Sequence, residues 1–328
     1  MSKSGTHSSV GQARAAKSSL TISLWRLAVA VAATILVIGA APARAAFPGE
    51  NGRIVFDTAW TWFNGQGMSE IYTVAPDGSH LRRLTHMGPE ASAWHPAVSP
   101  DASLVAFMVS AENSNDQVWI MWADGSHQRL LVDEPEWGDS GPSFTAGGRR
   151  VLFSRCGGYV EPYRTCKIVS VRLNGSGMRT IIGGTWHPSD PVMSPDGSQI
   201  AYVSDAGGRE ARVWLADVAG GHQRPLVGSA FVERISWSPD GTQLVFTGYR
   251  DGGRYMISAD GTGLQLAAPH SLFAAWSPDG TRIVWKVEGA EADLGFGPLR
   301  STNPDGSDPV DIVDASMGVG YSDWGVAR

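Results

Sequence analysis

The segment Trp-Ser-Pro-Asp-Gly-Thr-Gln-Leu-Val-Phe, residues 237–246, decides the fold of this chain. Ser-Pro-Asp-Gly is a turn sequence, because proline presets φ, aspartate bonds the backbone two residues on and glycine tolerates a positive φ. The apolar residues that follow are typical of a buried strand. Working outward, the same turn begins at Ser99, Ser194 and Ser277, with a degraded copy at Thr145 and a truncated copy ending at Gly325.

These six copies are 46, 49, 44, 39 and 48 residues apart, close to the period of a four-stranded propeller blade. Each unit has the same order: the turn, a strand, a loop of variable length, a second strand, a turn that is usually Asp-Gly, and a short last strand. No stretch after the N-terminal segment has a sustained period of 3.6 residues. The repeat therefore predicts an all-β propeller.

The two ends of the repeat region complete each other. The first unit, from residue 52 to 57 and onward, lacks the turn and the strand before it, and residues 320–324 supply that strand. Five complete units and one split unit predict six blades, closed by the C-terminal strand pairing into blade one. Such closure removes exposed strand edges.

The turn at residues 237–241, the strand Leu244-Val245-Phe246 and the segment Ile71-Tyr72-Thr73-Val74 before Asp77-Gly78 resemble the WD-type repeat of TolB-type propellers. The resemblance implies a six-bladed propeller that is often exported and often a scaffold for protein interactions. TolB itself has a separate α/β domain before its propeller, whereas here the N-terminal segment leads directly into the first blade. We therefore do not expect a role in Tol translocation.

The first 45 residues have the layout of a secretory signal peptide. A basic, Ser-rich lead without Asp or Glu precedes an apolar run at residues 27–40 and the small-x-small sequence Ala43-Arg44-Ala45. We expect a Sec-type signal peptide at residues 1–45 and a propeller at residues 46–328, in a secreted or periplasmic protein of the cell envelope. The alternative is an uncleaved membrane anchor, although about 20 apolar residues are needed to span a bilayer.

Charge and cysteine content narrow the function classes. Without the five basic residues of segment 1–45, 21 Lys and Arg remain against 32 Asp and Glu, a net charge of −11. So acidic a chain is a poor candidate for binding nucleic acid or anionic membranes. Cys156 and Cys166, ten residues apart in an exported chain, predict one disulfide, with two free thiols as the alternative.

The topology predicts two unlike rims. The Ser-Pro-Asp-Gly and Asp-Gly turns fall on one rim, where their aspartates form turns rather than a catalytic site. The opposite rim carries the variable loops at residues 58–69, 111–116, 156–166, 205–210, 249–253 and 288–297, where binding residues usually lie. Trp60, Trp62 and Phe63 in the first loop are candidates to stack on a sugar or contact a partner; alternatively, they cover the rim between blades.

A second set of candidates lies four or five residues before each turn, where the innermost strand enters the channel. One histidine, two carboxylates, an arginine and aromatic rings would form a polar pocket mouth there. The candidates are Trp94, His95, Asp190, Glu233, Arg234, Phe273 and Tyr321.

We expect a monomeric, non-catalytic protein without a cofactor that binds a protein, peptide or glycan through the variable-loop rim. The alternative is a metal-assisted hydrolase or lyase at the channel, where Asp190 and Glu233 are weak candidates to hold an axial Ca²⁺ or another divalent ion. Of His95, His187 and His270, only His95 falls at the channel position. His/Cys zinc spacing, a Gly-x-Ser-x-Gly elbow and phosphate-binding loops are not found.

Overall fold

A computed structural model gives the fold. It describes residues 47–58, 61–63, 66–112, 114–157, 165–184, 187–205, 211–226, 232–248, 252–288 and 297–328; at residues 61–63, 66–68 and 233 it describes the backbone alone. The predicted signal peptide, Trp60 and most of the variable loops therefore lie outside the described residues, as do the side chains of Trp62, Phe63 and Glu233.

Six antiparallel sheets of four strands form the six predicted blades. Blade one contains β1 (Asn51–Thr58), β4 (Ile71–Val74), β5 (Arg82–Arg83) and β26 (Val319–Val326). Blade two contains β6 (Ala91–Val98), β7 (Leu104–Ala111), β8 (Gln117–Trp122) and β9 (Arg129–Leu130). Blade three contains β10 (Trp137–Phe144), β11 (Arg150–Gly157), β12 (Thr165–Arg172) and β13 (Arg179–Ile182).

The remaining blades repeat this order. Blade four contains β14 (Ser189–Met193), β15 (Gln199–Ser204), β16 (Arg212–Asp217) and β17 (Arg224–Pro225). Blade five contains β18 (Val232–Trp237), β19 (Gln243–Gly248), β20 (Gly253–Ser258) and β21 (Gln265–Ala268). Blade six contains β22 (Ser271–Trp276), β23 (Ile283–Val287), β24 (Leu299–Thr302) and β25 (Val310–Val313).

Two short elements lie outside the blades. The strands β2 (Thr61–Phe63) and β3 (Gln66–Met68) form a hairpin inside the first variable loop, which the sequence did not predict. A 3₁₀ helix spans Ala315–Met317 and is the one helix among the described residues. Within those residues, no helix has the length and apolarity needed to cross a membrane.

The predicted closure is confirmed. The C-terminal strand β26 pairs with β1, with Ile54 opposite Trp324 and Phe56 opposite Ser322. It occupies the innermost position of blade one, as β6 does in blade two. The first and last strands of the described region therefore complete one sheet.

The turn chemistry is also as expected. In all four Ser-Pro-Asp copies the serine Oγ donates to the aspartate Oδ1 over 2.6–2.7 Å, while the same Oγ accepts the backbone N–H of the residue five positions on. Although partial burial alone would raise it, hydrogen bonds from Ser103 and Ser99 lower the pKa of Asp101. Where blade three has Gly147 instead of aspartate, the Thr145 hydroxyl still bonds Arg150. These aspartates hold turns.

The predicted disulfide is present. Cys156 on β11 and Cys166 on β12 are bonded and lie directly opposite each other in the strand pairing. The bond closes the variable loop of blade three at its base. Apolar residues of neighbouring blades pack against one another between the sheets, and every blade has one aromatic residue at the same place on its second strand. These residues are Phe56, Phe107, Phe153, Tyr202, Phe246 and Trp285.

Candidate functional site

One residue from each blade faces the propeller channel at the same register, four positions before the turn serine or its equivalent. We call this set the channel ring: His95, Gly141, Asp190, Arg234, Phe273 and Tyr321. Five of the seven channel candidates belong to the ring, and the other two, Trp94 and Glu233, each immediately precede a ring residue. All of the ring side chains are half-buried.

The backbone of the ring is strained. His95, Asp190, Arg234 and Phe273 have φ between 48° and 57°, in the left-handed region that favours glycine, and Gly141 has φ of 59°. Each costs about 1–2 kcal/mol for a non-glycine residue. The register of the innermost strand shifts at the same place in every blade, which marks a bulge. Bulges re-aim side chains and are over-represented at functional sites.

Three adjacent blades contribute an aromatic cluster to the ring. The ring centroids of His95 and Tyr321 are 3.6 Å apart, and those of Phe273 and Tyr321 are 4.1 Å apart. Trp94 lies edge-on to His95 at 5.9 Å, and Lys286 places its ammonium 5.7 Å from the centroid of Phe273. This side of the channel therefore offers flat apolar surface with a cation beside it.

The other side of the channel is charged. Arg234 reaches across it from blade five, and its Nη2 donates to the carbonyl oxygens of Ser322 at 3.0 Å and Pro96 at 3.3 Å. Asp190 lies over Gly141, where a Cβ atom would come within 2.7 Å of the Asp190 carboxylate. A glycine in blade three thus leaves room for the carboxylate of blade four.

Two carboxylates, the buried Asp57 and the half-buried Asp323, hold the ring strands in place. Asp57 on β1 accepts the N–H of His95 at 2.7 Å and that of Tyr321 at 2.8 Å, so it joins blades one and two. Asp323, two residues past Tyr321, accepts the N–H groups of Val98 at 2.8 Å and Trp324 at 3.0 Å. Neither residue was a sequence-based candidate.

Burial dominates the electrostatics of the site. Burial raises the pKa of Asp57 to about 7, against the opposing effect of its two N–H donors and of Arg234 and Lys286. Burial also raises the pKa values of Asp190 and Asp323 and lowers that of Lys286. Burial, and then the positive charge of Arg234, lowers the pKa of His95 to about 3. His95 is therefore neutral at physiological pH, and its buried Nδ1 has no hydrogen-bond partner within the described part of the chain.

Aligning the blades could have revealed Asp57 and Lys286. Each follows three apolar residues on the second strand of its blade, as Ile54-Val55-Phe56-Asp57 and Ile283-Val284-Trp285-Lys286. Blades two to five have Met108, Ser154, Val203 and Thr247 at that register. A charged residue that interrupts an apolar strand predicts a buried charge with a nearby partner, because a buried charge without one is costly. This pattern could have identified both residues from the sequence.

The other histidines lie outside the ring. His187 and His270 each place Nδ1 at 2.9–3.0 Å from a carboxylate eighteen residues on, Asp205 and Glu288 respectively, on the outer part of the variable-loop rim. Among the described residues, no three His, Cys, Asp or Glu side chains are grouped so that they could hold a metal ion. Asp190 therefore belongs to no such group among the described residues. The side chain of Glu233, the other proposed ion ligand, lies outside the described residues.

A small cavity of about 60 Å³ lies in the channel on the turn side of Arg234. Asp323, Ser143 and Ser236 supply its polar lining, and Phe47 is among its apolar lining residues. Arg234 is the one ring residue that lines it. The arginine therefore separates this cavity from the aromatic part of the channel mouth.

Known proteins resemble this chain mainly in fold. A crystal structure of TolB from Acinetobacter baumannii aligns over 83% of this chain and 66% of its own, with a TM-score of 0.68 and 18% identity. The fold is that of the TolB propeller. An oligogalacturonate lyase in complex with manganese aligns over 81% of this chain and 86% of its own, with a TM-score of 0.53 and 14% identity. Identities this low establish the TolB-type fold and nothing about activity.

Sequence comparison finds relatives among curated proteins, one of which has no activity in its name. An uncharacterized protein of Agrobacterium fabrum, Atu1656, is 28% identical over 200 residues, which are 56% of this chain and 63% of that protein. The match thus spans less than two thirds of the relative. No protein-family model matches the chain.

Proposed function

We propose that this TolB-type propeller is an exported binding module that engages a protein, peptide or glycan at the variable-loop rim, with the channel ring at the centre of the contact. One observation carries the proposal: four non-glycine ring residues adopt left-handed backbone at one register, although Gly141 performs the same turn without strain. Strain of this kind concentrates at functional sites, where the side chain is worth more than the stability it costs.

The chemistry of the ring supports a binding role. Aromatic rings that are half-buried offer a stacking surface for a sugar ring or an apolar side chain. The ring also offers polar groups for a ligand. These are the unpartnered Nδ1 of neutral His95, the carboxylate of Asp190 and the N–H donors of Arg234.

Export is part of the proposal. It is supported by the acid-free basic lead, the apolar run and the Ala-Arg-Ala sequence, and by the disulfide, which is a feature of proteins in oxidising compartments. Expression of the full chain in a bacterial host, followed by fractionation and N-terminal sequencing, tests it. We expect a mature chain that begins at Ala46; a cytoplasmic protein that starts at residue 1 would contradict export.

The binding site is tested by exchanging ring residues for the residue that blade three already has. His95→Gly and Asp190→Gly relieve the left-handed strain while removing the side chains. We expect capture of envelope proteins from a native envelope fraction, or binding on a glycan array, to be lost. The free energy of unfolding should change by less than about 1 kcal/mol, because relief of strain offsets lost contacts.

The matched control is Ala102→Gly, which relieves the same strain at φ of 54° on the opposite rim. It should leave capture unchanged. Capture that survives in both ring variants would contradict the proposed site. Stoichiometric divalent metal in the purified protein, lost in Asp190→Ala, would instead support the metal-assisted hydrolase or lyase.

A further inference from the structure

Apart from the channel ring, a second feature that indicates a ligand is an arginine between blades five and six. Arg254 on β20 lies opposite Thr247, and its side chain is completely buried. At the same register the third strands of the other five blades carry aliphatic residues, all buried: Ile71, Val118, Ile168, Val213 and Leu299. Packing therefore does not require an arginine here.

Most of the guanidinium of Arg254 has no partner. Its Nη1 donates to Thr302 Oγ1 at 3.2 Å, and its Cζ lies 5.6 Å from the ring centroid of Trp285. Among the residues that the structure describes, its buried Nε and Nη2 have no hydrogen-bond partner, and neither has the buried Nε1 of Trp285. Apart from Thr302, the guanidinium therefore contacts an indole ring whose own N–H donor is also unpaired among the described residues.

No carboxylate forms an ion pair with Arg254 among the residues that the structure describes. Burial lowers the pKa of this arginine to about 10, so it is still protonated at neutral pH. An unpaired buried charge costs several kcal/mol after relaxation of the protein. Water could accept the free N–H bonds, but it would not neutralise the charge.

The surroundings have the polarity that an anion needs. The unpaired groups are all N–H donors, which suit an anion and exclude a cation. A methyl group placed on Gly306 would lie 3.8 Å from Arg254 Nη2 and 3.4 Å from the carbonyl oxygen of Ala267, with no other neighbour within 4 Å outside its own chain segment. A small group on this side of Nη2 would therefore meet no steric conflict.

We propose that Arg254 and Trp285 form a buried anion site between blades five and six that takes a halide ion, chloride under physiological conditions. The ion supplies the missing counter-charge and accepts the free N–H bonds. It pins the two blades together and is independent of the ligand proposed for the channel ring.

The experiment measures thermal unfolding of the intact protein while chloride replaces gluconate at constant ionic strength. At a tenfold excess of chloride over its dissociation constant, we expect a rise in Tm of about 2–4 °C. Arg254→Leu, which introduces the residue that blade six has at this register, should abolish the rise. Arg300→Gln, on the same indole but paired with Asp311 in the native protein, should retain it.

Crystals of the unmodified protein soaked in bromide keep the proposal testable even if Arg254→Leu does not fold. We expect an anomalous peak within hydrogen-bond reach of Arg254 Nε or Nη2. A Tm that is independent of chloride, a carboxylate of the chain in contact with the guanidinium, or water alone at that place would each overturn the proposal.

Discussion

Blades three and five each bury one arginine, and the two side chains are surrounded in opposite ways. Arg155 on β11 donates from Nε and Nη2 to the two oxygens of Asp139 at 2.7 and 2.6 Å, and its Nη1 pairs with Glu134. Arg254 has one hydroxyl and an indole face. Carboxylates of the chain thus neutralise the arginine in blade three, whereas we expect an ion from the solvent to neutralise the arginine in blade five.

The difference follows from where each arginine lies. Arg155 extends from the second strand of its blade, and the strand pairing places Asp139 on the neighbouring innermost strand directly opposite it. Although burial acts in the opposite direction, Asp139 and Glu134 raise the pKa of Arg155. Arg254 extends from a third strand into a contact between blades, where the facing blade offers the Thr302 hydroxyl and the Trp285 ring but, among the described residues, no carboxylate that forms an ion pair with it. Arg155 has a bidentate partner because the strand pairing places Asp139 opposite it. Arg254 lies in a contact between two blades, and we expect a halide ion to take the place of such a partner there.

The largest expected effect comes from making blade three resemble blade five. Asp139→Ala leaves Arg155 buried without its bidentate partner, and we expect the free energy of unfolding to fall by about 3–5 kcal/mol. Chemical denaturation followed by tryptophan fluorescence measures it. The control is the double variant Asp139→Leu with Arg155→Met, which removes both charges and should recover most of the loss. Equal losses in the single and double variants would show that shape, and not charge, holds this site.

A smaller effect of opposite sign is expected in blade five. In chloride-free gluconate buffer, Arg254→Leu removes a charge that has no counter-ion, so we expect the free energy of unfolding to rise by about 1–3 kcal/mol. The gain should shrink as chloride is added, because only the native arginine is stabilised by the ion. Denaturation at two chloride concentrations measures both values. A loss of stability in gluconate would mean that Arg254 is already neutralised by the protein.

The contrast between the two arginines also shows what the sequence could predict. Turns and blade count were predictable because Ser-Pro-Asp-Gly acts within four residues, and closure followed from counting strands. The position of Trp94, His95, Asp190, Arg234, Phe273 and Tyr321 at the channel followed from their distance to the turn. What each of these side chains contacts depends on neighbouring blades, about 40–50 residues away in the chain, and no local pattern encodes it.

Some long-range contacts nevertheless left a trace in the repeat. Arginines at the start of the second strand in blades one, three and six each bond a serine or threonine on the third strand through Nε, at 3.0 Å in every case. The pairs are Arg53 with Thr73, Arg150 with Ser170, and Arg282 with Ser301. Arginine followed by three apolar residues is visible in the sequence at each place. Arg155 and Arg254 have no such repetition, and their partners could not be predicted.

Asp57 is the intermediate case, a buried charge held by N–H groups rather than by an ion pair. Its pKa of about 7 in the folded protein is above the value of about 4 expected in the unfolded chain. Between pH 4 and 7 the Asp57 carboxyl is therefore protonated in the folded state but ionised in the unfolded chain. This proton stabilises the folded state fully at low pH, and the stabilisation is lost as the pH rises through about 7. The effect on the free energy of unfolding is about 1 kcal/mol per pH unit.

Asp57→Asn should flatten this part of the pH profile, because an amide does not titrate. Denaturation at pH 5, 6 and 7 measures the slope, and the slope rather than the absolute stability is decisive, since the amide also loses one N–H contact. The control is Asp101→Asn: hydrogen bonds lower the pKa of Asp101, so that variant should change the profile only below about pH 4. An unchanged slope in Asp57→Asn would mean that the N–H groups of His95 and Tyr321 outweigh burial and keep this carboxylate ionised.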